Sequence, residues 1–275
     1  MPCNDDLLPR GIQRRLETRA LARRIYYLHE VDSTNRIAAE LARAGEPHGT
    51  LVVTDYQTKG RGRWNRTWES PAGRNLLFSL ILRPGVGAHT VLPVTLVFST
   101  ALAETLSTIV GRDAGVKWPN DVVVEGRKIS GILSEGASRA GVAVFVVVGI
   151  GINVNVGSEE FPERIRDRSC SCSSLTGREW KRADLLARVL SSLERVYDEF
   201  VQKGFGKMAA RYTSRLTILG KPIRFEKAGL ETAGTVVDVG ADGSLVVETV
   251  TGRVALYEQE VSLLRDGGET HDSRG

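Results

Sequence analysis

The sequence predicts an α+β fold: a larger domain of mixed strands and helices, followed by a small all-β barrel. Three observations carry that reading. Strand and helix signals interleave from residue 25 onward, without the strict strand–helix–strand repeat of a doubly wound sheet. Residues 122–124, 129–133 and 142–148 are β-branched runs separated by glycine-containing turns, the pattern of antiparallel hairpins. Beyond Gly220 the helical pattern stops and short strands follow one another.

Taken in chain order, residues 1–24 hold Arg10, Arg14, Arg15, Arg19, Arg23 and Arg24, with apolar positions at Leu8, Ile12, Leu16 and Ala20. That spacing predicts a basic amphipathic helical extension. Residues 25–28 read as a strand. Asp32-Ser33-Thr34 offers cap oxygens for a helix running to about Ala44, and Gly45 stops it. Residues 51–54 are strand, followed by a long Gly/Arg loop to Arg74. Residues 76–82 are strand and 91–109 a strongly apolar helix. After the three β-branched runs, helices are predicted over 182–202 and 205–216. The larger domain therefore covers 25–217. A barrel over 218–265 uses strands at 222–225, 234–239, 245–248 and 253–256, broken at Ala241-Asp242-Gly243 and Thr251-Gly252. The polar tail, 266–275, is predicted to be disordered.

A chain of 275 residues exceeds one ordinary domain, and 41% hydrophobic with 25% charged residues provides for a normal core. The formal net charge of +4 suits an anionic ligand or an acidic partner and falls short of a nucleic-acid-binding face. Residues 1–24 are too short for a helix-turn-helix module. The cysteines, Cys3, Cys170 and Cys172, are odd in number, so no disulfide framework is expected. Cys170-Ser171-Cys172 lacks the spacer of a zinc knuckle, and the pair reads as reduced surface thiols. No 18-residue apolar run or signal-type leader stands out, which argues against a membrane span and for a cytoplasmic protein.

Two segments carry chemistry. In Gln57-Thr58-Lys59-Gly60-Arg61-Gly62-Arg63-Trp64-Asn65-Arg66-Thr67-Trp68, Gly60 and Gly62 let backbone N–H groups close on an anion, and the arginines add forked donors. The Gly-Lys-Ser/Thr ending of a Walker loop and the glycine spacing of a dinucleotide fold are both missing. A flexible basic surface loop fits the same composition. The second segment is Lys117-Trp118-Pro119-Asn120-Asp121, followed by Lys128 and Ile129-Ser130-Gly131-Ile132-Leu133-Ser134-Glu135. A turn there places Asn120 and Asp121 at a strand mouth, and the hairpin returns Lys128 to the same end. Lysine can neutralise charge developing on a phosphoryl oxygen. Ordinary turn residues beside a surface lysine are the plainer alternative.

Their order is more informative than either alone. Ser33-Thr34-Asn35, the loop from Gln57 to Arg63, Lys117 to Asp121 with Lys128 beyond, and Gly149-Ile150-Gly151-Ile152-Asn153-Val154-Asn155 together resemble biotin protein ligase, over about residues 25–265. One departure stands out: where such loops carry a third glycine, this chain has Trp64-Asn65-Arg66, and Asn65 is expected to take the left-handed turn.

The resemblance implies a mixed-sheet catalytic domain of the biotin/lipoate ligase type with an SH3-like C-terminal barrel. Ser33, Thr34 and Gln57 would hydrogen-bond the ureido end of biotin, and Asn35 would fix the helix start. Arg61 and Arg63 would hold the biotin carboxylate and ATP phosphates. Lys128 would steady the charge as the carboxylate attacks the α-phosphorus. Trp68 would stack on adenine, and Asn153 would help bind the adenosine. Asn120 and Asp121 would bind Mg²⁺-nucleotide or orient the acceptor lysine. Gly60, Gly62 and Gly131 complete the ligand set, with Arg63, Lys128 and Asp121 as catalytic residues. No side-chain metal site is implied, unless Asp121 lies near Mg-ATP. The implied partner is a biotin carboxyl carrier domain of a carboxylase, with neither nucleic acid nor membrane. A lipoate or octanoate ligase and a bifunctional ligase-repressor are the alternatives. Residues 142–148 suit either a homodimer contact or a buried core strand.

Overall fold

The computed structural model describes residues 7–64, 66–84, 91–139, 142–227, 230–257 and 262–264. The strands of the larger domain are β1 (Ile25–Val31), β2 (Leu51–Gln57), β3 (Leu76–Leu82), β4 (Ala114–Lys117), β5 (Asp121–Val124), β6 (Arg127–Arg139) and β7 (Val142–Ile152). They form one sheet in the order β1-β2-β3-β7-β6-β5-β4. Only β1 and β2 are parallel; the other neighbours are antiparallel. The short β4 escapes sequence reading because four residues with a single bulky apolar side chain, Val116, give no period to recognise.

Alternation along the strands divides the core. From β3, Leu76, Phe78, Leu80 and Leu82 face the layer of α3 (Val91–Val110) and α6 (Arg182–Lys203), between which the chain forms the short α4 (Glu163–Arg166) and α5 (Cys172–Thr176). Ile81 faces the opposite way, joining Val52, Phe145 and Val147 beneath α2 (Thr34–Arg43). In β7, Val146, Val148, Ile150 and Ile152 belong to the first layer, so Gly149 and Gly151 lie on the α2 side. Within the apolar run at 142–148, Val146 to Val148 are paired on both edges, with β3 and β6; Phe145 to Val148 are buried, whereas Val144 is exposed.

Sequence expectations change in three other places. Helix α3 does contain an 18-residue window of mean hydropathy 1.4, but 78% of that window is buried inside the protein. Among its described residues, the N-terminal segment is α-helical in α1 (Pro9–Gln13) alone. Past it, the N–H groups of Arg19, Ala20 and Leu21 all donate to the Glu194 carboxylate of α6, at 2.7, 2.7 and 2.8 Å. Those donors cannot serve a helix as well, and Ile12, Leu21 and Ala22 are buried instead. Burial alone would raise the Glu194 pKa; the three N–H groups outweigh it and hold the carboxyl below its ordinary range. Finally, Cys170 and Cys172 are buried, not surface thiols. Burial pushes them up to about 11 and about 12, so both remain protonated.

The second sheet contains β8 (Pro222–Lys227), β9 (Leu230–Val239), β10 (Leu245–Thr249), β11 (Gly252–Leu256) and β12 (Ser262–Leu264), in the order β11-β10-β9-β8-β12. Every neighbouring pair is antiparallel. Its core is Phe225, Val236, Val239, Leu245, Val247 and Leu256. The predicted tail at 266–275 lies outside the described residues. Between the sheets, the predicted helix over 205–216 is a 3-10 turn, Phe205–Lys207, followed by α7 (Ala209–Thr213).

Candidate ligand and nucleotide site

The site lies where the α2 side of the sheet loses its side chains. Gly131 of β6 and Gly151 of β7 are direct cross-strand partners and open a flat floor. The Trp68 indole rests on it: a Cβ on Gly151 would stand 2.6 Å from Trp68 Cε2, and one on Gly131 would stand 3.1 Å from Cζ3. Both glycines are therefore required by the close approach of the ring. Trp68 Nε1 is buried without a hydrogen-bond partner among the described residues, an unusual condition for an indole N–H.

At one border of this floor is the start of α2. Ser33 occupies the N-cap position in extended backbone, but its side chain makes no cap bond. The cap comes from β2: Gln57 Oε1 accepts from Thr34 N (2.8 Å) and Thr34 Oγ1 (3.0 Å). That fixes the Gln57 amide, with Oε1 spent on the helix and Nε2 left as the donor. Ser79 Oγ lies 2.6 Å from Asn35 Oδ1 and 2.8 Å from Thr34 Oγ1. Thr34 spends its one hydroxyl proton on Gln57, so Ser79 is the donor here, sharing its proton between the Asn35 amide oxygen and Thr34 Oγ1. Asn35 Nδ2 donates to Leu133 O (3.1 Å) and Glu135 Oε2 (2.7 Å). A Cβ on Gly149 would overlap Asn35 Oδ1, so glycine is needed there too.

Across the floor, Lys128 runs along β6 above Gly131. Its Nζ is 2.6 Å from Asp121 Oδ1 and 5.4 Å from the Trp68 ring centroid. Its backbone is held on both sides, donating to Arg168 O (2.7 Å) and accepting from Cys170 N (3.0 Å). Asn120 Nδ2 donates to Ile132 O (2.7 Å), and its Oδ1 accepts from Arg63 (3.1 Å).

The basic loop forms a small folded cap. Gly62 N donates to Arg66 O (2.6 Å) and Trp68 N to Gly60 O (2.9 Å), with Arg61 and Thr67 bridged. A side chain on Gly60 would collide with the Trp68 carbonyl. Arg61 pairs with Glu135 at 2.9 Å, joining the loop to the Asn35 cluster. The left-handed residue of the described loop is Trp64, φ 56°, with its side chain exposed; Asn65 lies outside the described residues.

All the residues singled out in the sequence thus gather around one floor, with one difference in placement. Asn153 is only 5% exposed, and its amide is committed internally. Nδ2 donates to Cys170 O (3.1 Å) and Lys128 O (3.4 Å), while Oδ1 accepts from Asn75 (3.2 Å). It steadies the Lys128 backbone and keeps no donor in reserve for an adenosine. Ser79, Glu135, Gly149 and Gly151 join the site without having been assigned to it. The last three stood in motifs already noted, and the period-2 alternation of β6 and β7 would have aimed them at the same face.

A basic loop, an aromatic ring and a lysine–aspartate pair thus surround a glycine floor. The chain belongs to the biotin/lipoate A/B protein ligase family, whose model matches residues 27–153. It is 32% identical over 248 residues to the bifunctional ligase/repressor BirA of Bacillus spizizenii, covering 90% of this chain and 76% of that protein. The biotin–(acetyl-CoA-carboxylase) ligase of Paracoccus denitrificans is 30% identical over 237 residues, covering 85% and 98%. Among solved structures, biotin protein ligase from Aquifex aeolicus in complex with biotin and ATP superposes with a TM-score of 0.76 at 33% identity, over 88% of this chain and 99% of that one.

Proposed function

We propose that the chain is an ATP-dependent biotin ligase, which makes biotinoyl-5′-AMP and transfers the acyl group to a lysine of a biotin carboxyl carrier domain. The observation that carries this reading is the hydrogen-bonded start of α2 beside the glycine floor. Biotin's ureido ring needs both donors and acceptors once buried, and Ser33, Thr34 and the Nε2 of Gln57 supply them. A lipoyl dithiolane has no such groups and would leave buried polar atoms unpaired, which a site of this kind penalises.

In the first step a biotin carboxylate oxygen attacks the α-phosphorus of ATP, and the bond to the β-phosphate oxygen breaks to release pyrophosphate. Arg61 and Arg63 hold the carboxylate and phosphates, and Lys128 offsets charge on the transferring phosphoryl group. Trp68 offers a ring face to adenine. Asp121 has one oxygen turned to Lys128, so Mg²⁺ is taken to arrive on the triphosphate, where it would screen phosphate charge. In the second step the carrier lysine amine attacks the acyl carbon and AMP leaves. Asn120 and Asp121 would orient that amine.

The N–H groups of Arg19, Ala20 and Leu21 are tied to Glu194 of α6, and we propose ligation without DNA binding by the described residues. Biotin transfer to a purified carrier domain tests the reading. Label should appear on one carrier lysine only with biotin and ATP both present. Transfer of lipoate in preference to biotin would refute it.

A further inference from the structure

A buried hydrogen bond links the barrel to the segment that carries Asn120 and Asp121. Trp118 Nε1 donates to the carbonyl of Gly243, at 3.2 Å, in the turn between β9 and β10. We propose that this turn is a positioning element for the ligase reaction and that Trp118 is the residue through which it acts. The proposal rests on the reading of the site as an adenylating centre.

The turn is built to hold that carbonyl still. Gly240 N donates to Ser244 O (2.8 Å) and Gly243 N to Gly240 O (2.9 Å). Asp242 fastens it from within: Oδ1 accepts from Ser244 N (3.0 Å) and Ser244 Oγ (2.7 Å), and Oδ2 accepts from Tyr257 OH (2.6 Å). Gly243 has φ +88°, and a Cβ there would stand 2.9 Å from Leu96 Cδ1 and 3.2 Å from Leu92 Cγ of α3. Only glycine permits both this backbone and this approach, so the turn is pressed against the larger domain.

The other end of the contact is chemical. Trp118 is 4% exposed, and its single N–H has one partner. Two residues further on, Asn120 accepts from Arg63 and donates to Ile132 O; the next residue, Asp121, meets Lys128. An indole anchored at both its ring and its N–H sets where this turn leaves β4. A ring held by packing alone could tilt, and Asn120 would move with the backbone. Trp118 and the barrel turn touch neither the Thr34–Gln57 cluster nor any reacting atom, which makes them positioning residues.

The test is a double-mutant comparison on the full chain, using biotin-dependent ATP–pyrophosphate exchange at saturating biotin and ATP. Trp118→Phe removes the N–H and keeps an apolar ring. It should lower kcat for exchange about tenfold while leaving biotin Kd unchanged, and should cost less than threefold in an Asn120→Ala background, because the effect runs through Asn120. Asp242→Asn, which loosens the turn from the barrel side, should show the same dependence on background and serves if Trp118→Phe fails to fold. Equal fold-losses in both backgrounds, or full exchange by Trp118→Phe, would overturn the proposal. A wild-type chain without exchange would instead refute the ligase reading beneath it.

Discussion

The face of the sheet that carries α2 has two ends of opposite character, joined along β7. At one end Val52, Ile81, Phe145 and Val147 meet Ala38 and Ala42 of α2 and are buried. At the other, Gly131, Gly149 and Gly151 bear no side chains; there Asn35 and Trp68 occupy the freed space. The first end stabilises the fold through buried apolar area. The second gives up that stabilisation to admit rings and hydrogen-bonding groups, because each glycine forgoes side-chain burial on a strand. Stability and ligand recognition are thus separable along one β-strand, and substitutions at the two ends should fail in different assays.

The largest effect is expected at the glycine end. Gly149→Ala forces Asn35 away and with it the Ser79 and Glu135 bonds, so biotin affinity measured by calorimetry should fall at least about 100-fold, equivalent to about 2.7 kcal/mol. Undiminished affinity would show that Asn35 does not organise the pocket. Gly151→Ala displaces only the Trp68 ring. It should raise the KM for ATP about tenfold with biotin affinity nearly unchanged, a split that separates the platform from the ureido cluster.

At the apolar end, Ile81→Ala leaves a cavity under α2 and should cost about 2–5 kcal/mol in urea unfolding, with biotin affinity preserved. Loss of affinity as large as that of Gly149→Ala would erase the distinction between the two ends. The smallest effect sharpens the comparison from the other layer. Glu194 is held below its ordinary pKa, so its stabilising bonds to Arg19, Ala20 and Leu21 are present above the unfolded carboxylate pKa and lost as pH falls through the folded one. Glu194→Gln should therefore lower Tm at pH 7 and flatten its acid-side decline, without changing biotin affinity. An unchanged acid-side slope would show that Glu194 does not drive it.

What could be read in advance follows from the range of the forces involved. Strands such as Leu76–Leu82 and the helix Val91–Val110 announce themselves by local pattern, and the ordered motifs located the site. Gln57 was legible as a motif residue, but its role as the cap of α2 was not, since the helix start resembles any Asp-Ser-Thr cap and the oxygen comes from another strand. Asn153 misled for a related reason. An amide in a glycine-containing motif suggests a ligand, whereas its bonds to Lys128 and Cys170 depend on chain segments that meet only after folding. The N-terminal helix failed because three donors found a carboxylate about 175 residues away in sequence.

If this floor adenylates biotin with Lys128 offsetting the charge, biotin-dependent ATP–pyrophosphate exchange should separate the wild-type chain from Lys128→Ala. Exchange should require biotin in the wild type and fall about 1,000-fold in the variant, with the fold intact by Tm. Exchange absent from the wild type, or undiminished in Lys128→Ala, would contradict that reading.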